Sequence, residues 1–236
     1  KAMLGGILKN EICAKEDVIA TAKSEASREN ARNTYGIQVT ADNIEAAKSA
    51  DVLVLAVKPI FYEEVIHEIK DAVDEKKIII SIAPGKTLAW LGEQFGKKVK
   101  LVRCMPNTPA LVGEGMTGVC CNEEVSEAEM QDVLKILESC GKAEMLPERL
   151  IDVVVSVSGS SPAYLCLSRR WQMRPLRMVC RVHRHIVSQH RQSLAVQRWC
   201  WRQANIPVNL KTWYAHRAAQ RLRQCVFWKK RVCEVL

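Results

Sequence analysis

Between residues 17 and 139, short apolar runs alternate with stretches whose apolar residues recur at helical spacing. The runs predict strands over 17–21, 36–39, 51–56, 77–82 and 99–103. The stretches between and after them predict helices over 24–34, 42–49, 60–73, 87–95 and 126–139. Two of the runs, Asp51-Val-Leu-Val-Leu-Ala56 and Lys77-Ile-Ile-Ile-Ser-Ile82, are almost unbroken, as expected of strands buried on both faces. Strands separated by helices of this length need right-handed crossovers, which gives a mostly parallel sheet covered on both sides. The expected fold is therefore doubly wound α/β, Rossmann-like. Residues 1–8, Lys-Ala-Met-Leu-Gly-Gly-Ile-Leu, read as the middle of a helix, with Gly5 and Gly6 inside it.

This pattern stops after Tyr164. Beyond that residue the chain is built of Arg, Trp, Gln, His and Cys, with thirteen Arg and three Lys against one acid, Glu234. The total charge of +9 is thus the sum of about −6 over residues 1–164 and about +15 over the rest. A basic chain would suggest an anionic partner, but only the tail is basic. Ten cysteines show no Cys-x-x-Cys spacing and assemble no ligand quartet, so neither a metal site nor a disulfide framework is expected. Cys13, Cys104, Cys120, Cys121 and Cys140 lie in apolar stretches, which suits a reducing, cytoplasmic compartment. No run is long and apolar enough to span a bilayer, so no membrane partner is expected.

In doubly wound sheets ligands bind outside the carboxyl ends of the strands. The residues leaving these strands are Ala22-Lys23-Ser24, Ala56-Val57-Lys58-Pro59, Ala83-Pro84-Gly85 and Cys104-Met105-Pro106-Asn107. Lys23 and Ser24 stand where a dinucleotide fold reads the adenosine ribose, and no Asp or Glu is there to take a free 2′-hydroxyl. That favours NADP over NAD, with NAD as the alternative. Equally, Ser24 is a plain helix N-cap and Lys23 a solvated charge. Lys58 offers an amine, or else only its backbone, and Asn107 a turn cap.

Taken together, these turns resemble the pyrroline-5-carboxylate reductase family. The resemblance is carried by Ala56-Val57-Lys58-Pro59, by Ser81-Ile82-Ala83-Pro84-Gly85, and by the run from Arg103-Cys-Met-Pro-Asn to Gly118-Val119. Val157-Ser158-Gly159-Ser160-Ser161-Pro162-Ala163-Tyr164 completes it, so that it covers residues 1–164. It implies hydride transfer from NAD(P)H to the C=N bond of 1-pyrroline-5-carboxylate, giving proline. By the same resemblance Lys23, Ser24 and Asn43 meet the adenosine end of the cofactor. Ala56, Val57, Lys58 and Pro59, with Ile82, Ala83 and Pro84, line the nicotinamide side; no catalytic side chain is singled out. The implied organisation is an NADP-binding domain over 1–151 and a C-terminal region over 152–236 that is family-like only to residue 164.

Two departures from the family follow. Its first strand and Gly-x-Gly-x-x-Gly turn are not within this sequence, so the sheet is expected to lack its first strand and the cofactor its phosphate cradle. Its Ala-rich, acidic C-terminal helices, with a Ser-Pro-Gly-Gly-Thr-Thr substrate segment, do not follow Tyr164, so a family-type homo-oligomer is not expected. The tail itself has two readings. As a functional arm, Arg interleaved with Trp would bind nucleic acid on a degenerate dinucleotide fold. As a shifted reading frame, with a suitable choice of synonymous codons, 170–175 read one base earlier would give Ala-Met-Ala-Asp-Ala-Ala. On the same choice residues 213–222 would give Met-Val-Cys-Ser-Pro-Gly-Gly-Thr-Thr-Ile, the absent substrate segment. The second reading leaves a remnant of an all-α domain without a packed core, assigns no nucleic-acid partner, and predicts essentially no turnover for this polypeptide.

Overall fold

The computed structural model describes residues 2–159, 224–228 and 232–235. Helix α1 (Ala2–Lys9) buries Met3, Leu4 and Ile7. It lies so close to the turn at residues 139–141 that a Cβ on Gly6 would sit 2.6 Å from Cys140 Sγ and 2.7 Å from the Ser139 carbonyl oxygen. Glycine is what allows that approach, and Asn10 Nδ2 secures it by donating to Ser139 O at 2.9 Å. The alternating segments follow: β1 (Val18–Ala22), α2 (Glu25–Tyr35), β2 (Gln38–Thr40), α3 (Asn43–Ser49), β3 (Val52–Leu55), α4 (Tyr62–Ile69), β4 (Ile78–Ser81), α5 (Leu88–Phe95) and β5 (Lys100–Met105).

The helix boundaries have local causes. Asp42 accepts hydrogen bonds from Ile44 N and Glu45 N at the start of α3, and Thr87 Oγ1 accepts from Trp90 N at the start of α5. Gly36 and Gly96 close α2 and α5 in the left-handed conformation that side chains disfavour. The predicted helix over 60–73 is three pieces, with 3-10 turns at Pro59–Phe61 and Lys70–Ala72 flanking α4.

Parallel ladders join β1 to β2, β3 to β4 and β4 to β5. The predicted burial of the central strands holds: Leu53, Val54, Leu55, Ile79 and Ile80 are all fully buried. The fold is a Rossmann-like, mostly parallel α/β sheet, as the hydrophobic pattern predicts. Past β5 the sheet continues through two strands that the pattern does not predict. Strand β6 (Gly115–Cys121) runs antiparallel to β5, and after helix α6 (Glu127–Glu138) strand β7 (Gly141–Met145) runs parallel to β6. Gly141 has φ 148°, and a Cβ there would lie 2.1 Å from the Gly115 carbonyl oxygen, so the two strands meet at paired glycines. Helix α7 (Ile151–Val154) and a π turn over Val155–Gly159 complete the main unit.

Between β1 and β3, where the first strand is expected to be missing, the described residues place two strands from the tail. Strands β8 (Gln224–Trp228) and β9 (Val232–Val235) give the order β2-β1-β8-β9-β3-β4-β5-β6-β7 among the described residues. Strand β9 runs parallel to both β1 and β3, pairing Glu234 with Ala20 and with Val54. Two neighbouring inner strands carry backbone groups that need partners, and Val, Phe, Cys and Trp in these tail segments favour extended backbone. Of the all-α remnant expected over 152–236, residues 224–228 and 232–235 are strands instead, while residues 160–223, and with them most of the basic arm or shifted frame expected over 165–236, lie outside the described residues.

Candidate functional site

The carboxyl ends of β1 and β3 open onto a cleft of about 390 Å³. The β1–α2 turn contributes Ala22 and Lys23, the start of α3 contributes Ala41 and Asn43, and the turn after β3 contributes Val57. Phe61 and the exposed face of α4, with Glu64, Val65 and Glu68, form the opposite side. Valines and a phenylalanine beside a few polar groups make a wall suited to a flat, partly polar ring system. Of the residues expected at the adenosine end, Lys23 and Asn43 line this cleft together with Val57. Ser24 does not. It stands at the N-cap position of α2, yet its hydroxyl donates to Ser27 Oγ at 2.8 Å instead of capping a backbone N–H.

Asn43 is held from two sides. Thr21 Oγ1 donates to its Oδ1 at 2.7 Å, and its Nδ2 donates to Glu68 Oε2 at 2.8 Å. Beside it, Arg28 Nη1 donates to the carbonyls of Ala22 at 2.6 Å and Lys23 at 3.2 Å, while Nη2 pairs with Glu25. Arg28 is therefore a second cation at the β1–α2 turn, one helical turn beyond the pair singled out from sequence.

The residues expected on the nicotinamide side lie at the ends of β3 and β4. Ala56, Val57 and Ala83 are buried, Lys58, Pro59 and Ile82 are half-buried, and Pro84 is exposed. Beneath them a fully buried tyrosine joins the two strand ends. Tyr62 donates its hydroxyl to Leu55 O and accepts from Ser81 Oγ at 3.2 Å, and Ile82 N reaches Leu55 O at 3.4 Å. Sequence reasoning passed over Tyr62 because it reads as one more apolar position of α4.

Arg103, in the middle of β5, has only 1% of its surface exposed. Its Nη1 donates to Glu148 Oε1 at 3.1 Å and its Nη2 to Asp152 Oδ1 at 2.7 Å, while its Nε has no hydrogen-bond partner. Glu148 Oε1 also accepts from Leu88 N at 2.8 Å, so one carboxylate ties α5 and β5 to the segment leading into α7. Asn107 does not cap a turn as expected. Its buried amide accepts from Met116 N at 2.9 Å and donates to Ser158 Oγ at 3.2 Å, fixing the loop after β5 to the segment at 155–159. Burial pushes the Cys120 thiol up to about 11, with the Glu148 carboxylate adding to the effect. Cys104, fully buried, is raised further for the same reason. Among the described residues no group of His, Cys, Asp and Glu could hold a metal ion, and no helix is long and apolar enough to cross a membrane.

A cleft outside the carboxyl ends of parallel strands is where doubly wound α/β folds bind their ligands. Residues 1–85 match the family described as NADP oxidoreductase, coenzyme F420-dependent. The pyrroline-5-carboxylate reductase of Escherichia coli K12 is 38% identical over 165 residues, which are 70% of this chain and 61% of that protein. The enzyme of Corynebacterium melassecola is 36% identical over 170 residues, 71% of this chain and 63% of its own length. Among solved structures, a pyrroline-5-carboxylate reductase from Coxiella burnetii superposes with a TM-score of 0.68 at 26% identity, covering 91% of this chain and 79% of that one. A Plasmodium falciparum pyrroline carboxylate reductase with NADP bound gives 0.65 at 26% identity, covering 91% and 78%. Over about 70% of its length the chain is thus similar to pyrroline-5-carboxylate reductases. It spans little more than three fifths of the length of these curated relatives.

Proposed function

We propose that residues 1–151 are the cofactor-binding part of an NADP-dependent pyrroline-5-carboxylate reductase. The observation that carries the reading is the cleft shared by Lys23, Asn43 and Val57, at the strand ends where a doubly wound fold holds a dinucleotide. The residues present suit the adenosine half of that cofactor. Val57, Phe61 and Val65 give an apolar wall for the base, Asn43 a hydrogen-bonding amide for the ribose, and Lys23 and Arg28 a cationic rim for a 2′-phosphate. When bound, a reduced nicotinamide cofactor would supply the hydride for the imine carbon of 1-pyrroline-5-carboxylate, whose ring nitrogen would take a proton to give L-proline.

The chain's own part is orientation. Tyr62 and Ser81 lock the ends of β3 and β4 together, so the backbones of Ala56–Pro59 and Ile82–Pro84 form one rigid rim for the nicotinamide side. Asn107, joined to Ser158, fixes the neighbouring loop after β5. The printed names of the relatives support a small-molecule substrate and a place in proline biosynthesis. A cytoplasmic setting accords with the free cysteines among the described residues and forms part of the proposal.

The test is a fluorescence titration of the purified chain with NADPH, in competition with NADP and with adenosine 2′-phosphate. Saturable enhancement displaced by both competitors, and weaker for NADH, is the expected result. Enhancement that neither competitor displaces would refute the reading.

A further inference from the structure

Asn43 is the polar residue at the centre of the candidate adenosine cleft, and an asparagine amide can present either an acceptor or a donor to a ligand. Here the choice is made by its neighbours. A carboxylate has only acceptors, so Glu68 must face the Nδ2 side of the amide, at 2.8 Å. The Oδ1 side then faces Thr21, whose hydroxyl donates to it at 2.7 Å. Thr21 is 1% exposed, the next-to-last residue of β1, and it lies 22 residues from Asn43; Glu68 lies 25 residues beyond Asn43, on α4. Three separate elements thus converge on one side chain. The oxygen is used by Thr21 and one Nδ2 hydrogen by Glu68, which leaves the second Nδ2 hydrogen for an acceptor in the cleft that Asn43 lines.

We infer that Thr21 and Glu68 are positioning residues that hold Asn43 as a hydrogen-bond donor, so that the cleft selects an oxygen acceptor on the ribose of an adenosine 2′-phosphate or on that phosphate. The inference rests on the cofactor reading of the cleft. It assigns to Thr21 and Glu68 an effect on binding that passes through Asn43. Thr21 acts from beneath the cleft, and Glu68 acts across it, sharing its wall with Glu64. The charge of Glu68 also strengthens its bond to Nδ2, because hydrogen bonds to ionised partners exceed neutral ones.

The experiment titrates adenosine 2′-phosphate into the full chain, followed by ligand-observed NMR, for the unmodified protein and for Glu68→Ala, Thr21→Val, Thr21→Ser and Asn43→Ala. Glu68→Ala and Thr21→Val are each repeated in the Asn43→Ala background. Glu68→Ala and Thr21→Val are expected to weaken binding about tenfold each, the loss of one well-placed hydrogen bond. Thr21→Ser, which keeps the hydroxyl, is expected to bind like the unmodified chain. In the Asn43→Ala background neither substitution should have a further effect, because the side chain through which both act is gone. Glu68 is exposed, so its substitution leaves the fold intact, and thermal melting checks the buried Thr21→Val. An equal loss for Glu68→Ala with and without Asn43 would overturn the inference, since Glu68 would then touch the ligand itself. Unchanged binding in both single variants would overturn it too. An unmodified chain that does not bind the nucleotide would instead overturn the reading of the cleft.

Discussion

Gly5 and Gly6 are neighbours in α1, and helix propensity alone says that replacing either with alanine stabilises the protein by roughly 1 kcal/mol. The structure separates them. Around Gly5 the nearest atom to an added Cβ is Tyr35 Cε1 at 3.9 Å, an ordinary contact. Around Gly6 the same atom would meet Cys140 Sγ at 2.6 Å and two backbone atoms of Ser139 at 2.7 and 3.1 Å. Carbon pairs are comfortable at about 3.5–4.0 Å, so the helix and the turn must part by the better part of an ångström. The turn is not free to move, because Asn10 grips Ser139 O and Gly115 N donates to Cys140 O at 2.9 Å. Overpacking of this kind costs about 1–3 kcal/mol, which outweighs the gain in propensity. Gly5→Ala is therefore expected to be more stable than the parent by up to about 1 kcal/mol, and Gly6→Ala less stable by about 1–2 kcal/mol. Urea unfolding of the full chain, followed by circular dichroism, measures both. Equal shifts of the same sign would refute the packing argument for α1.

Replacing Arg103 by Met is expected to cost about 2–4 kcal/mol in the same assay, since Glu148 and Asp152 lose their buried partner, while their own partial exposure limits the penalty. Hydrogen exchange should then show opening concentrated in residues 148–159; uniform opening would argue against a clamp. Burial alone would raise the Glu129 carboxyl, but hydrogen bonds from Lys100 and Ser126 outweigh it and hold the group below the usual range. A lowered carboxyl stabilises the fold above its unfolded pKa of about 4.3 and loses that contribution as pH falls through the lower folded value. The stability gap between the parent and Glu129→Gln should accordingly be full at neutral pH and close below about pH 4; a gap that widens in acid would contradict it. Burial, with the Asp17 carboxylate adding to it, pushes the Cys13 thiol up to about 11. Peptide-resolved alkylation at neutral pH should find Cys13 and Cys120 far slower in the folded chain than in urea, on the order of a hundredfold from thiolate fraction alone. Rates equal to those of the unfolded chain would show that neither thiol is buried.

The strands that announce themselves in the sequence are those whose own residues demand burial. Val52–Leu55 and Ile78–Ser81 are apolar enough to specify central parallel strands without help from their neighbours. Strands β6 and β7 are not: Gly115-Met-Thr-Gly-Val-Cys-Cys121 and Gly141-Lys-Ala-Glu-Met145 have weak β propensity, and their pairing depends on two glycines meeting across the sheet. The place of β9 was equally hidden, because it is set by the unmet backbone groups of β1 and β3 and not by its own pattern.

The site divides in the same way. Lys23 and Val57 are visible because they leave strands, which is a local property. The orientation of Asn43 depends on Thr21 and Glu68, and the joint between β3 and β4 depends on Tyr62 and Ser81; each partner belongs to a different element. Asn107 was visible as a turn residue, but its burial arises only when Met116 and Ser158 are brought to it. Arg28 could have been found from its helical register, since four residues past the N-cap place its side chain back over the β1–α2 turn.

The central claim is that the cleft at the ends of β1 and β3 is the cofactor site. The most direct measurement is amide chemical-shift mapping of the isotope-labelled full chain on addition of NADPH. The account predicts shifts at Lys23, Asn43, Val57 and Lys58, extending to Ile82 and Ala83, with none at Glu16, Gln38 and Ser49, which line a separate groove of about 380 Å³. Shifts confined to that second groove, or absent from Lys23, Asn43 and Val57 at saturating NADPH, would contradict it.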